Sequence, residues 1–297
     1  MTPMVSIIVA TYRRDQSLAK ALKSLAEQTY TNYEIILVDD NANKEWNEKV
    51  GAIVELFRKD YPDRTLNYIA NRLNRGSAAT RNIGIETAVG TYITFLDDDD
   101  VYMPEKIAYQ VAYMEEKGAD YGVTNLDLYY DDGTFCERRT RSYIQNTDYI
   151  SLMRYHLLHH LTGTDTMMFR REYLLQIGGF DPINVGDEFY LMLKAIENKG
   201  TFAYLDRSDV RALVHRGEGG LSSGDGKIEG ENRLYEFKKQ YFHLLDQADI
   251  RFIKARHYAV IAFAEMRRKG YISFAKNAAT AFMISPADCL KLLKKHK

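Results

Sequence analysis

Cysteine is scarce in this chain: Cys136 and Cys289 are the only two among 297 residues. That is too few for a disulfide framework or a four-ligand zinc site, and it points to a reducing, cytoplasmic compartment. Proline and glycine, at 5 and 19 residues, are too rare for a collagen-like or low-complexity chain. An excess of one charge is missing as well. Lys and Arg number 40 against 41 Asp and Glu, a formal net charge of −1, so the basic footprint of a general nucleic-acid binder is lacking. No nucleic-acid partner is expected, and any site for a polyanion has to be local. No uncharged apolar run approaches the roughly 18 residues of a membrane span. Met1 to Met4 carries no basic segment ahead of the first strand pattern, so no secretory leader is expected.

What is present is an ordinary globular balance, 45% hydrophobic and 27% charged, in a length that suits one large domain or two small ones. The first part alternates strand and helix patterns. Val5 to Ala10 is a β-branched run, and Leu18, Leu22 and Leu25 then recur at helical spacing. Glu34 to Val38 is a second buried-strand run, followed by Val50, Ile53, Val54 and Phe57 with helical period. Leu66 to Ala70 reads as a weaker strand, Ser77 to Ala88 as a helix, and Thr91 to Leu96 as a third strong strand. Such alternation predicts an α/β fold with a doubly wound, mostly parallel sheet, whose ligands bind at the carboxyl ends of the strands, followed by a mixed half and C-terminal helices. Beyond about Asp120 the pattern turns mixed and Tyr-rich. A helix near Glu188 to Asn198 and strands near Phe202 to Leu205 and Val210 to His215 can still be read there, and from Glu229 onward everything reads as helix.

Two of the strong strands finish in carboxylates. Val38 leads into Asp39-Asp40, and Leu96 into Asp97-Asp98-Asp99-Asp100. Carboxylates crowded at one sheet edge repel one another, each close pair by a few kcal/mol in reduced dielectric, on the order given by Coulomb's law. A hard divalent cation, Mg²⁺ or Mn²⁺, bridging such a turn to a diphosphate would relieve this; the plainer alternative is a solvated acidic turn. Asp39-Asp40 reads either as an Asx turn or as an acceptor for a base N–H or a ribose hydroxyl. A dehydrogenase would need a glycine-rich turn after the first strand, and Ala10-Thr11-Tyr12-Arg13-Arg14 has no glycine to let a pyrophosphate approach.

Val5 to Tyr12, Glu34 to Asp40, Asn74-Arg75-Gly76-Ser77-Ala78-Ala79-Thr80-Arg81-Asn82 and Phe95 to Asp100, in this order, resemble the motif series of family 2 glycosyltransferases with the GT-A fold. The resemblance covers roughly residues 3 to 225. It implies a GT-A domain over 1–225, with a nucleotide-sugar-binding half at 1–118 and an acceptor half at 119–225, followed by a helical extension at 226–297. By the same resemblance Thr11 and Tyr12 line the base, and Asp39 or, preferably, Asp40 accepts from uracil. Arg81 approaches the nucleotide, and Asp97-x-Asp99 is the DxD motif. There, Asp97 or Asp98 faces ribose, and Asp99 holds a metal that bridges the diphosphate.

Gly178-Gly179-Phe180-Asp181 and Asp187-Glu188-Phe189 resemble the family's later motifs. The usual order of the acidic pair is reversed here, and Lys194 lies six places after Glu188. This register makes Glu188 the general base, with Asp187 the close alternative; the other reading of both is an acidic first turn complementing a helix dipole. His215 and the Gly/Ser segment after it resemble a late histidine that contacts metal or diphosphate and a loop that closes over the donor. His156, His159 and His160 lack a metal-ligand spacing. The C-terminal helices, with Ile253, Tyr258, Ile261, Phe263, Phe274 and Phe282 on apolar faces, lead into a basic cluster at Lys291, Lys294, Lys295 and Lys297. They read either as a cap on the sheet edge or as a peripheral contact with an anionic inner membrane face.

The expected activity is an inverting, metal-dependent transfer from a nucleotide sugar, a UDP-sugar first, to a glycan or lipid-linked acceptor in bacterial cell-surface polysaccharide synthesis. The alternatives are a nucleotidyltransferase, which would want a glycine-rich basic loop after the first strand, and an inactive nucleotide-sugar-binding module.

Overall fold

Strands with continuous apolar runs need both faces covered, and here they form the middle of a seven-stranded sheet. The computed structural model describes residues 2–183, 186–214 and 225–294. Strands β1 (Val5–Thr11), β2 (Tyr33–Asp39), β3 (Thr65–Ala70) and β4 (Tyr92–Asp97) are mutually parallel, with β1 between β2 and β4 and with β3 outside β2. After β4 come the short β5 (Val101–Tyr102), β6 (Tyr121–Val123), β7 (Leu126–Tyr130), β8 (Phe135–Arg139), β9 (Met167–Arg170), β10 (Phe202–Tyr204) and β11 (Val210–Val214). The large sheet has the order β10-β6-β9-β4-β1-β2-β3, and β5-β11-β7-β8 make a second, four-stranded sheet. The α/β class and the strong strands are as the sequence indicated. Strand β9 makes the later half mixed: it runs antiparallel between β4 and β6, and its four residues are too short a run to carry a direction in their pattern.

The helices follow from their stripes. In α1 (Gln16–Ala26) Leu18, Leu22 and Leu25 are buried, and Asp15 accepts a hydrogen bond from the Gln16 N–H at its start. Helix α2 (Lys44–Asp60) buries Val50, Val54 and Phe57 and is capped by Asn43. Helix α3 (Ser77–Thr87) lies hard against β1: a Cβ added at Gly84 would fall 2.5 Å from Ile8 Cγ2. That close approach needs glycine, and it fixes the start of α3 over the carboxyl end of the sheet. Helices α4 (Lys106–Lys117), α5 (Tyr149–His159), α6 (Arg171–Gln176) and α7 (Asp187–Glu197) complete the sheet-bearing region, apart from α5 as described next.

The chain divides into two compact units, residues 1–149 with 161–216, and residues 150–160 with 217–297. The second holds α8 (Asp225–Lys238), α9 (Gln247–Arg267), α10 (Tyr271–Ile284) and α11 (Pro286–Lys294). A sequence division at residue 225 keeps residues 150–160 with the sheet, whereas in the structure they group with the later helices. Arg154 pairs with Asp249 of α9 at 2.5 Å, and the Leu157 carbonyl accepts from Lys238 at 2.8 Å. Helix α5 is buried at Leu152, Met153, Tyr155, His156, Leu157 and Leu158, nearly all round, so no single stripe marks it in the sequence.

Candidate active site

The strand register puts three carboxyl ends at one level. Thr11 of β1 lies opposite Asp39 of β2, and Ala10 lies opposite Asp97 of β4. At β2 the two carboxylates are filled by protein donors. Asp39 is fully buried and accepts from the Asn41 backbone at 2.9 Å, the Asn41 side chain at 2.7 Å, Asn47 at 2.7 Å and the Tyr68 hydroxyl at 2.8 Å. Asp40, 4% exposed, accepts from Asn71 at 2.8 Å, from Arg75 N–H at 2.8 Å and from Gly76 N–H at 2.9 Å. A carboxylate has about four acceptor positions. In Asp39 all are taken, two on each oxygen, and Asp40 is bound on both oxygens. The expected hydrogen bond from uracil to Asp40 therefore meets an oxygen pair already committed to the backbone that enters α3, and Asp39 is no more available.

The β4 turn differs. Asp98 accepts from the Thr11 hydroxyl at 2.7 Å and from Tyr12 N–H at 3.2 Å; burial still pushes it up to about 7, with Asp99 and Asp97 adding to the effect. Asp99 pairs with Arg14 at 3.0 Å. Asp97 N–H donates to Asp165 at 2.6 Å, and Leu213 N–H donates to Asp100 at 2.9 Å. Burial raises the carboxyls of Asp165 and Asp100, Asp165 to about 7, and neighbouring carboxylates reinforce both shifts. Beside this turn Tyr12 stands half exposed, with the Arg13 guanidinium 5.1 Å from its ring. Arg13 and Ala42 take left-handed backbone at φ 53° and 50°, conformations that ordinary side chains disfavour.

Arg81 joins the two ends of the site. It donates to Asp97 at 2.7 Å and to Asp187 at 3.2 Å, and it packs its guanidinium 5.5 Å from the Phe180 ring. Burial works against its charge, and the Asp97 and Asp187 carboxylates more than restore it, so its pKa lies above the usual arginine value. Expected beside the nucleotide, Arg81 here bridges two carboxylates. Glu188 accepts from Gly163 N–H at 2.9 Å and from the Thr164 hydroxyl at 2.6 Å; burial raises its carboxyl, the Thr164 bond opposes that, and Asp187 adds to it. Lys194 donates to the Gly179 carbonyl at 2.6 Å and to Asp181 at 2.7 Å, and Asn82 exchanges two hydrogen bonds with Phe180, so the 178–181 turn is clamped between α7 and α3.

The sequence profile of glycosyl transferase family 2 matches residues 6–178. The chain belongs to that family. Among named relatives, an Escherichia coli UDP-Glc:alpha-D-GlcNAc-diphosphoundecaprenol beta-1,3-glucosyltransferase, WfgD, is 26% identical over 125 residues, which is 42% of this chain and 46% of that one. This chain spans between 21% and 65% of the length of three other curated relatives it matches. In fold it is similar to S. aureus TarS 1-349 in complex with UDP-GlcNAc, at TM-score 0.62 and 18% identity over 96% of this chain and 82% of that one. It is likewise similar to the mannosyltransferase PcManGT from Pyrobaculum calidifontis in complex with GDP-Man and Mn²⁺, at TM-score 0.62 and 17% identity over 99% and 79%. The fold is therefore GT-A.

For a family 2 glycosyltransferase a divalent cation at the β4 turn is the implied cofactor, and the donor set suits one. Asp97, Asp100 and Asp165 bring carboxylate oxygens within 4.8 Å of one another, a hard-oxygen cluster in which burial penalises every uncompensated charge. Asp99, the other expected ligand, pairs with Arg14 at 3.0 Å on the same turn, and His215 lies outside the described residues. Asp165 and Arg14 escaped the sequence reading. Arg14 could have been found as a cation within reach of the acidic turn, but nothing in Gly163-Thr164-Asp165 announces a position beside β4.

Proposed function

We propose that this chain transfers a sugar from a nucleotide-sugar donor, UDP-linked in the first instance, to a hydroxyl of a glycan or lipid-linked acceptor, with inversion at the anomeric carbon. The observation that carries the reading is the Arg81 bridge, which ties the strand-end Asp97 to the Asp187-Glu188 pair on one edge of the sheet. A donor diphosphate beside β4 would then lie next to a carboxylate suited to take a proton. WfgD, by its name, uses UDP-Glc and a diphosphoundecaprenol-linked acceptor, which supports the same donor and acceptor classes here.

Thr11 and Tyr12 would flank the base, with the half-exposed Tyr12 ring as a stacking face. Asp39 and Asp40 would act one step removed, by holding the 41–43 and 74–76 loops. Asp97 and Asp99, both partly exposed on the turn, would hold a Mn²⁺ or Mg²⁺ ion together with the donor, and Asp100 and Asp165 lie close enough to Asp97 to complete the acidic set. When bound, the metal would neutralise charge on the departing diphosphate. Glu188 would accept the acceptor's hydroxyl proton: its raised carboxyl is a better proton acceptor at neutral pH than an ordinary one, and the bonds from Gly163 and Thr164 fix its orientation.

Glu188→Gln tests the base. UDP binding by calorimetry should be unchanged while transfer falls about 10²- to 10⁴-fold. If Asp187→Asn gives that pattern and Glu188→Gln does not, the base is Asp187; if neither slows transfer, the reading fails. Thermal shifts with UDP-, GDP- and dTDP-sugars in the presence of Mn²⁺ select the donor, because a ligand that binds only the native state raises its stability in step with affinity.

A further inference from the structure

Helix α10 is amphipathic the wrong way round for a buried element. One side of it packs on α9, with Ala281 fully buried. The opposite side carries Tyr271, Ile272, Phe282 and Met283, which are 66%, 88%, 50% and 75% exposed. Between them Ala275, Lys276 and Ala279 are also exposed, so the residues at 272, 275, 276, 279 and 283 form one continuous stripe at helical spacing. Leu290 of α11 adds a further exposed apolar side chain at 53%. Large apolar side chains clustered at the surface in this way mark an interaction site rather than ordinary scatter.

Charge says what covers the stripe. From Arg267 to Lys297 the sequence has eight Lys and Arg and a single acidic residue, Asp288, in a chain whose formal net charge is −1. Arg267, Arg268 and Lys269 precede the stripe directly, Lys276 lies within it, and Lys291 follows on α11. In the pairs of Arg268 with Glu265 at 3.9 Å and Lys291 with Asp288 at 3.4 Å the contacts are long and the cations stay exposed, so the positive field of the segment remains in place. An apolar stripe flanked by cations, with Lys276 able to extend its ammonium past its own aliphatic stem, matches an anionic lipid surface and not a protein groove.

We infer that α10 lies on an anionic bilayer surface, its Tyr271, Ile272, Phe282 and Met283 side chains entering the acyl boundary and the flanking basic residues meeting the headgroups. This goes beyond the transferase reading and does not depend on it. Among the described residues no helix is long and apolar enough to cross a membrane, so the contact is one of lying on the surface.

The test is flotation of the full chain with vesicles, without donor or acceptor present. Vesicles of phosphatidylcholine with phosphatidylglycerol should carry the protein upward and pure phosphatidylcholine vesicles should not, with release at high salt. The double substitution Ile272→Glu and Met283→Glu, at exposed positions that leave the packing on α9 intact, should weaken binding at least about tenfold, since it removes two inserting side chains and adds two repelled charges. Its circular dichroism and melting should match the parent chain. Equal binding to neutral and anionic vesicles, no flotation of the parent chain, or unchanged flotation of the double variant each overturns the inference. So does a parent dimer in light scattering that the double variant turns into a monomer, which would make the stripe a contact between two copies. Because no sugar nucleotide is needed, failure here leaves the transferase assignment untouched, and failure of transfer leaves this result readable.

Discussion

The turns after β2 and β4 begin from the same sequence signal, a buried apolar strand running into aspartates, and end in opposite states. After β2, Asp39 and Asp40 are surrounded by amide, hydroxyl and backbone donors that hold the next two loops. After β4, Asp97 and Asp99 are paired with Arg81 and Arg14 and Asp98 accepts from Thr11 and Tyr12, yet carboxylates still crowd one another, and burial lifts Asp98 and Asp165 to about 7. A buried charge that is fully hydrogen-bonded stabilises its surroundings, whereas crowded like charges raise the energy of the empty site and so favour a cationic ligand. The number of acids at a strand end thus says little until their donors are counted.

Three experiments press on this contrast. The largest effect is expected at β4: Asp99→Ala should lower transfer about a thousandfold, the scale of several kcal/mol of lost charge stabilisation, while melting stays unchanged. Full activity would remove Asp99 from the site. At β2 the order reverses. Asp40→Ala leaves the Asn71, Arg75 and Gly76 donors without their acceptor and should destabilise the fold by about 3 kcal/mol or more in urea titration, against about 0.5 kcal/mol or less for Asp99→Ala. Equal losses for the two would erase the distinction. A Mn²⁺-induced rise in melting temperature should vanish in Asp97→Ala and persist in Asn71→Ala, whose side chain bonds Asp40 and Thr80 rather than the β4 acids.

A further effect comes from outside both turns, and it has to be separated from them in any acid titration. Burial pushes His257 down to about 4, with the Tyr235 ring stacked on it at 4.1 Å. Its folded value lies below the unfolded value of 6.5, so the stability it allows is present above pH 6.5 and is lost as pH falls toward 4. His257→Phe should flatten that part of the stability profile. An unchanged slope would assign the acid loss to other groups.

Much of the sheet was readable from sequence, because Ile7, Ile35, Ile36, Leu37 and Val38 are buried from both sides and such strands cannot hide their apolar runs. The contacts of Thr11 with Asp98 and of Arg81 with Asp97 and Asp187 join residues that the family resemblance named, not ones that a local pattern marks. What escaped depended on partners far along the chain. Asp40's donors lie more than 30 residues away, Asp165 reaches Asp97 across 68 residues, and α5 is apolar on too many sides to show a face. No local period encodes those meetings.

The place of β9 has a consequence for how the protein is made. On a ribosome, β4 emerges some seventy residues before the strand that covers its outer side, since Ile93 and Thr94 pair with Phe169 and Met168. Until then a nascent chain carries an open, sticky border along a strand that is buried in the finished fold. A fragment cut after residue 118 keeps that border for good, so it should precipitate rather than serve as a stand-alone nucleotide-binding piece.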